Sequence, residues 1–112
     1  MSGGERLGAW WVETAITDIT KSLPKIAWYG AGDLVAVGRL LAEISDREVT
    51  DAEAAEMGCL FYMAGKWARI AEAMKRGEAP DDDSLFDLHF YTMMIRRIRA
   101  NGAWPGPLEE TK

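Results

Sequence analysis

Apolar residues recur along this chain at the spacing of helices. From about Ala9 to Leu23, the residues Val12, Ile16, Ile19 and Leu23 follow at intervals of four, three and four, which places them on one helix face. Pro24 predicts the end of that helix, because the residue before a proline is pushed away from the α region. Gly30 and Gly32 mark a loop containing Trp28 and Tyr29, and Asp33 stands where it can cap a second helix. Leu34, Val37, Leu40, Leu41 and Ile44 supply its stripe, which fades at Ser45-Asp46-Arg47.

Thr50-Asp51-Ala52-Glu53 has the form of a capping box, in which threonine and glutamate reciprocally satisfy free amides at a helix start. A long third helix follows, with Met57, Leu60, Phe61, Ala64, Ala68, Ala71 and Met74 on one stripe and Gly77 as a stop after Lys75-Arg76. Pro80 and three aspartates form the next turn. A fourth helix is predicted from Asp83 or Ser84 to Ala100, closed by Asn101-Gly102. Leu85, Leu88, Thr92, Ile95 and Arg99 trace one of its faces, while Phe86, Phe90, Met93 and Met94 make much of the rest apolar.

No segment shows sustained alternation with a period of two, so the expected class is all-α: a single domain resembling a four-helix bundle. The domain is expected over residues 1–104, with the tail from Trp104-Pro105-Gly106-Pro107 onward mobile and residues 105–112 flexible. Apolar residues on several sides of the fourth helix exceed what one small bundle can cover, which predicts a homo-oligomer.

Composition narrows the picture. The 112 residues, 48% hydrophobic, suffice for one core. No apolar run approaches the roughly 20 residues of a membrane span. The richest stretch, Met57 to Ala64, is followed at once by Lys66 and Arg69. Met-Ser-Gly-Gly-Glu-Arg lacks the features of a secretory signal, so a cytoplasmic location is expected. Cys59 is the only cysteine, and its neighbours Met57, Leu60 and Phe61 predict a buried small hydrophobe. A net charge of −5 disfavours nonspecific attraction to nucleic acid or anionic membrane.

Tyr62, Lys66 and Arg69 share one face of the third helix, and Asp83, Asp87 and Tyr91 share one face of the fourth. A short connection favours antiparallel packing of the two helices, which would join these stripes in a charged seam. Two readings of the seam are open. Lys66 and Arg69 can pair with Asp83 and Asp87 to set helix register. Alternatively, the aspartates can hold Mg²⁺ while the cations clamp phosphates, with Glu53 and Glu56 completing a four-carboxylate site. The two glutamates are equally explained as favourable charges in a first helical turn. His89 has no visible metal partner. Trp28 and Tyr29 are the aromatic pair best placed to stack on a base. Phosphate-binding Gly-x-x-x-x-Gly-Lys, Gly-x-Ser-x-Gly and His-Glu-x-x-His motifs are absent.

Lys66-Trp67-Ala68-Arg69, an acidic turn, then Asp83-Ser84-Leu85-Phe86-Asp87-Leu88-His89-Phe90-Tyr91, with Tyr29-Gly30 and Asp33 upstream, resembles a family of small bacteriophage proteins, many from actinobacterial phages. These look like distant relatives of the MazG-type all-α nucleotide pyrophosphohydrolases, which bind Mg²⁺ through clustered Glu and Asp and split nucleoside triphosphates. Those enzymes carry Glu-Glu-x-x-Glu and Glu-x-x-Asp, whereas this chain offers Glu53-x-x-Glu56 and Asp83-x-x-x-Asp87. The resemblance therefore implies a Mg²⁺-dependent pyrophosphohydrolase or a nucleotide-binding relative without turnover. Glu53, Glu56, Asp83 and Asp87 would face metal, while Lys66, Arg69, Tyr29 and Tyr91 would face substrate. The competing expectation is a non-enzymatic phage accessory protein that binds itself or a host protein.

Overall fold

Four helices follow in chain order, α1 (Gly3–Ile26), α2 (Ala31–Ile44), α3 (Asp51–Lys75) and α4 (Asp82–Asn101). The computed structural model describes residues 2–26 and 31–106, with backbone alone at residues 31 and 32. No strand occurs among the described residues, in agreement with the all-α reading.

Local chemistry accounts for most helix ends. The Thr50 hydroxyl accepts from the Glu53 amide at 3.1 Å, and the Glu53 carboxylate accepts from the Thr50 amide at 3.1 Å, so the expected capping box starts α3. Gly77 and Gly102 follow α3 and α4 with φ of 73° and 82°, the left-handed conformation that favours glycine after a helix. Three boundaries differ from the periodicity. Helix α1 begins at Gly3, where the Ser2 hydroxyl accepts from the Glu5 amide, and it continues through Pro24 to Ile26. The proline rule does not hold here: α1 runs two residues past Pro24, and in that extension Lys25 pairs with Asp87 of α4. Asp33 lies in the first turn of α2 instead of capping it.

Helices α2 and α3 meet backbone to backbone. A Cβ added to Gly38 would overlap the Ala54 carbonyl, and one added to Gly58 would overlap the Leu34 carbonyl. Gly38 and Ala42 stand four apart on α2, Ala54 and Gly58 four apart on α3, and all four are buried. Small residues at this spacing let two helices approach closely. This contact turns α3 away from the face its apolar stripe predicts and leaves the α2 stripe only partly inside, with Val37 and Leu41 half-buried. Leu40 and Ile44 of α2 are exposed, while Leu34 is buried. On α3 the stripe containing Leu60, Phe61, Ala64, Ala68, Ala71 and Met74 faces outward, and Ala54, Ala55, Gly58, Cys59 and Ile70 face inward.

Helix α4 packs antiparallel on α3. Glu56 meets Arg99, Tyr62 stacks on Tyr91, and Lys66 meets Asp87, so numbers rise on one helix as they fall on the other. The core joins Leu34 of α2, Ala55 and Cys59 of α3, and Phe86, Phe90, Tyr91, Met94 and Ile98 of α4. Trp104 also belongs to it, and the Arg97 Nε donates to the Pro105 carbonyl at 2.8 Å. The chain as far as Gly106 is thus folded back; residues 107–112, most of the expected tail, lie outside the described ones.

Helix α1 contributes nothing to this core. None of its residues is buried, and Val12, Ile16, Ile19, Leu23 and Ile26 are 43–62% exposed. The radius of gyration is 17.0 Å, against about 13 Å for a compact domain of this length. The surplus of apolar surface accordingly lies on α1 and α3, and α4, where it was expected, buries most of its own.

The α2–α3 contact predicts opposite outcomes for one substitution at different glycines. Gly38→Ala or Gly58→Ala should lower stability by about 1–3 kcal/mol, toward the upper end because the clash is with backbone. Gly65→Ala, whose Cβ meets nothing within 4 Å, should raise it by about 0.5–1 kcal/mol. Urea denaturation of the three variants measures both.

Candidate functional site

The charged seam between α3 and α4 exists in part. Lys66 Nζ stands 2.9 Å from Asp87 Oδ2, with side chains 19% and 14% exposed. A second cation, from a helix the spacing did not implicate, completes it: Lys25 Nζ lies 3.3 Å from Asp87 Oδ1. One turn earlier on both helices, Lys21 Nζ lies 3.2 Å from Asp83 Oδ1. The two α1 amino groups also sit 4.4 and 4.8 Å from the centroid of the buried Phe86 ring, within cation–π range. The available signal was a matching interval, Lys21 and Lys25 four apart on the polar side of α1 and Asp83 and Asp87 four apart on α4.

Burial pushes the Asp87 carboxyl up, but the hydrogen bond and charge of Lys66, with the charge and hydrogen bond of Lys25, outweigh it and hold the group below its usual range. Three ammonium groups around two carboxylates leave one positive charge in excess.

The other candidate residues disperse. Arg69 is exposed and makes no ion pair among the described residues; it lines a surface depression with Glu72, Arg76, Glu78 and Asp81. Asp83, its expected partner, is taken by Lys21. Tyr91 is a core residue whose ring lies 5.9 Å from Tyr62 with planes 6° apart. Tyr29 and Trp28 lie outside the described residues.

The four expected metal ligands do not converge. Glu53 is held in the capping box, its carboxyl lowered first by the Thr50 backbone hydrogen bond. Glu56 accepts from Arg99 at 2.6 and 3.1 Å, a two-pronged hydrogen bond that lowers its carboxyl. Because α3 and α4 run antiparallel, Glu56 lies beside Arg99, about 18 Å along α4 from Asp87 at 1.5 Å per residue. The same packing that joins Lys66 to Asp87 therefore separates the glutamates from the aspartates. Among the described residues, no group of three or more His, Cys, Asp or Glu could hold a metal ion. Glu53, Glu56, Asp83 and Asp87 therefore form no single carboxylate cluster in this structure. Cys59 is fully buried, and burial, with the nearby Glu56 charge, pushes its thiol up to about 11. His89 is exposed.

The chain matches no protein-family model, no curated protein and no solved structure. Its own surface offers the remaining functional features. Beside α1, a groove of about 500 Å³ is lined by Ile19, Leu23 and Ile26 together with Phe90, Met93 and Trp104. On the far side of α3, Leu60, Phe61, Trp67 and Met74 are 49–65% exposed. Among the described residues, no helix is long and apolar enough to cross a membrane.

Asp87→Asn should lower stability by about 1–3 kcal/mol, less than for a fully buried pair because both partners retain some solvent. Since folding depresses the Asp87 pKa, its contribution is present above the ordinary carboxylate value of about 4 and is lost as pH falls through the lower folded-state value. The variant should therefore lose less stability than the parent on acidification below about pH 4, as measured by urea midpoints across that range.

Proposed function

We propose that this chain works by association: it is a small accessory protein, of the bacteriophage kind its motifs resemble, that assembles with itself and presents α1 to further partners. One observation carries this reading. Two apolar helix faces with core-like spacing, Val12 to Ile26 on α1 and Leu60 to Met74 on α3, are both turned to solvent. Single exposed apolar residues need no explanation, but contiguous stripes do, because each leaves several hundred Å² of apolar surface in water. The charged seam then has a structural role, fixing α1 and α3 against α4 through Lys21, Lys25 and Lys66.

Light scattering at tens of micromolar should give about twice the protomer mass of 12.4 kDa or more. Ile16→Glu should remove any part of the assembly that depends on α1 while leaving the helical circular dichroism unchanged, because Ile16 supports no core contact. A parent mass of 12.4 kDa at that concentration overturns the reading.

A nucleotide-binding relative without turnover is the second reading, favoured by the excess positive charge of Lys21, Lys25 and Lys66 around Asp83 and Asp87, the first two above the Phe86 ring. In that case a nucleoside triphosphate raises the melting temperature with or without Mg²⁺, and Lys21→Gln weakens the shift. No shift at millimolar triphosphate removes this second reading.

A further inference from the structure

Helix α3 has three faces about a third of a turn apart. One meets α2 at Ala54 and Gly58, one meets α4 through Cys59, Tyr62 and Lys66, and one is open. The open face is regular. Met57, Leu60, Ala64, Trp67, Ala71 and Met74 recur at three, four, three, four and three, the a and d positions of a heptad seam sustained over three turns of the pattern. Leu60, Trp67 and Met74 are 49%, 58% and 65% exposed, and the alanines between them are exposed as well.

The order of sizes along this seam specifies its partner. Read from its two ends toward the centre, Met57 corresponds to Met74, Leu60 to Ala71, and Ala64 to Trp67. If a second α3 lies antiparallel on the first, each of these becomes a layer in which an a residue faces a d residue. In two of the three kinds of layer a large side chain then meets an alanine, the alternation that lets facing helices interdigitate. A parallel pair would instead set Trp67 against Trp67, Ala64 against Ala64 and Ala71 against Ala71, giving one overfilled layer and two hollow ones. About half or more of each of Leu60, Phe61, Trp67 and Met74 is in water, several hundred Å² per copy, the order of the about 800 Å² that each partner contributes to a standard interface. Antiparallel packing also opposes the two helix dipoles.

We propose that the open face of α3 is the site at which a second copy of this chain docks, antiparallel and two-fold symmetric, with Trp67 of each copy seated over Ala64 of the other. This rests on the self-association reading and specifies its interface.

Exchanging the two sizes tests it directly in the full chain. Trp67→Ala should weaken the dimer by about 30-fold or more, as loss of a buried tryptophan anchor does. Ala64→Trp should also dissociate it, by setting indole against indole. The double variant A64W/W67A restores the large-to-small match with the sides exchanged, so its dimer should recover to within about tenfold of the parent.

A second measurement does not depend on the strength of those variants. Leu60→Cys/Ala71→Cys should crosslink rapidly between copies under mild oxidation. Either single variant should not, because its two thiols would stand about 16 Å apart along the pair. The native Cys59 is fully buried and supplies the unreactive background. A parent dimer in which the double-cysteine variant fails to crosslink and A64W/W67A fails to recover overturns this interface but leaves self-association standing. A monomeric parent overturns both.

Discussion

The close approach of α2 and α3 at Gly38 and Gly58 is the constraint on which the rest of the structure depends. With no Cβ at either position, each helix backbone sits against the other, and this contact is only possible with Ala54 and Gly58 turned toward α2. Once that rotation is set, the side of α3 carrying Cys59, Tyr62 and Lys66 is presented to α4. The Tyr62–Tyr91 stack, the Lys66–Asp87 pair and the Glu56–Arg99 pair then all follow as rungs of one antiparallel register. The remaining face of α3, with Trp67 and Met74, is left in solvent by the same rotation.

Helix α1 is held by a different kind of force. Its described attachments to the body include two ion pairs and two cation–π contacts concentrated on Asp83, Phe86 and Asp87, with no buried side chain of its own. Exposed ion pairs are each worth at most about 1 kcal/mol and are screened by salt. A 24-residue helix anchored this way keeps its apolar stripe available to another surface. That is unusual for a stripe of branched aliphatic residues, and it separates this chain from a closed four-helix bundle, in which the same stripe would line the core.

Charge in this protein is largely spent on architecture. Asp83, Asp87, Glu53 and Glu56 each have a partner: a lysine of α1 or α3, the first turn of α3, or an arginine of α4. Breaking any of these to admit a metal would strand the partner, most expensively Lys66, which is mostly shielded from water. Ligand chemistry at the seam would have to use the excess cation at its solvent edge.

What the sequence determined by itself was local. The helical class, the Thr50–Glu53 capping box, the glycine stops at Gly77 and Gly102, the buried Cys59 and the Lys66–Asp87 pair were all legible, because each depends on neighbours a few residues apart or on helices joined by a short turn. Tertiary structure alone decided which face of each helix is inside. The stripe of α3 marks an apolar face correctly, but periodicity cannot say whether an apolar face meets its own chain or another surface. Small residues gave the opposite answer here, since Gly38, Ala42, Ala54 and Gly58 bring backbones together and so outrank the larger side chains of Leu60 and Met74 in forming the core. The two glutamates and the two aspartates are separated for a related reason: residues three or four apart share a face, but antiparallel packing sets which ends of two faces meet. It set Glu56 beside Arg99 and Asp87 beside Lys66, at opposite ends of the same pair of helices.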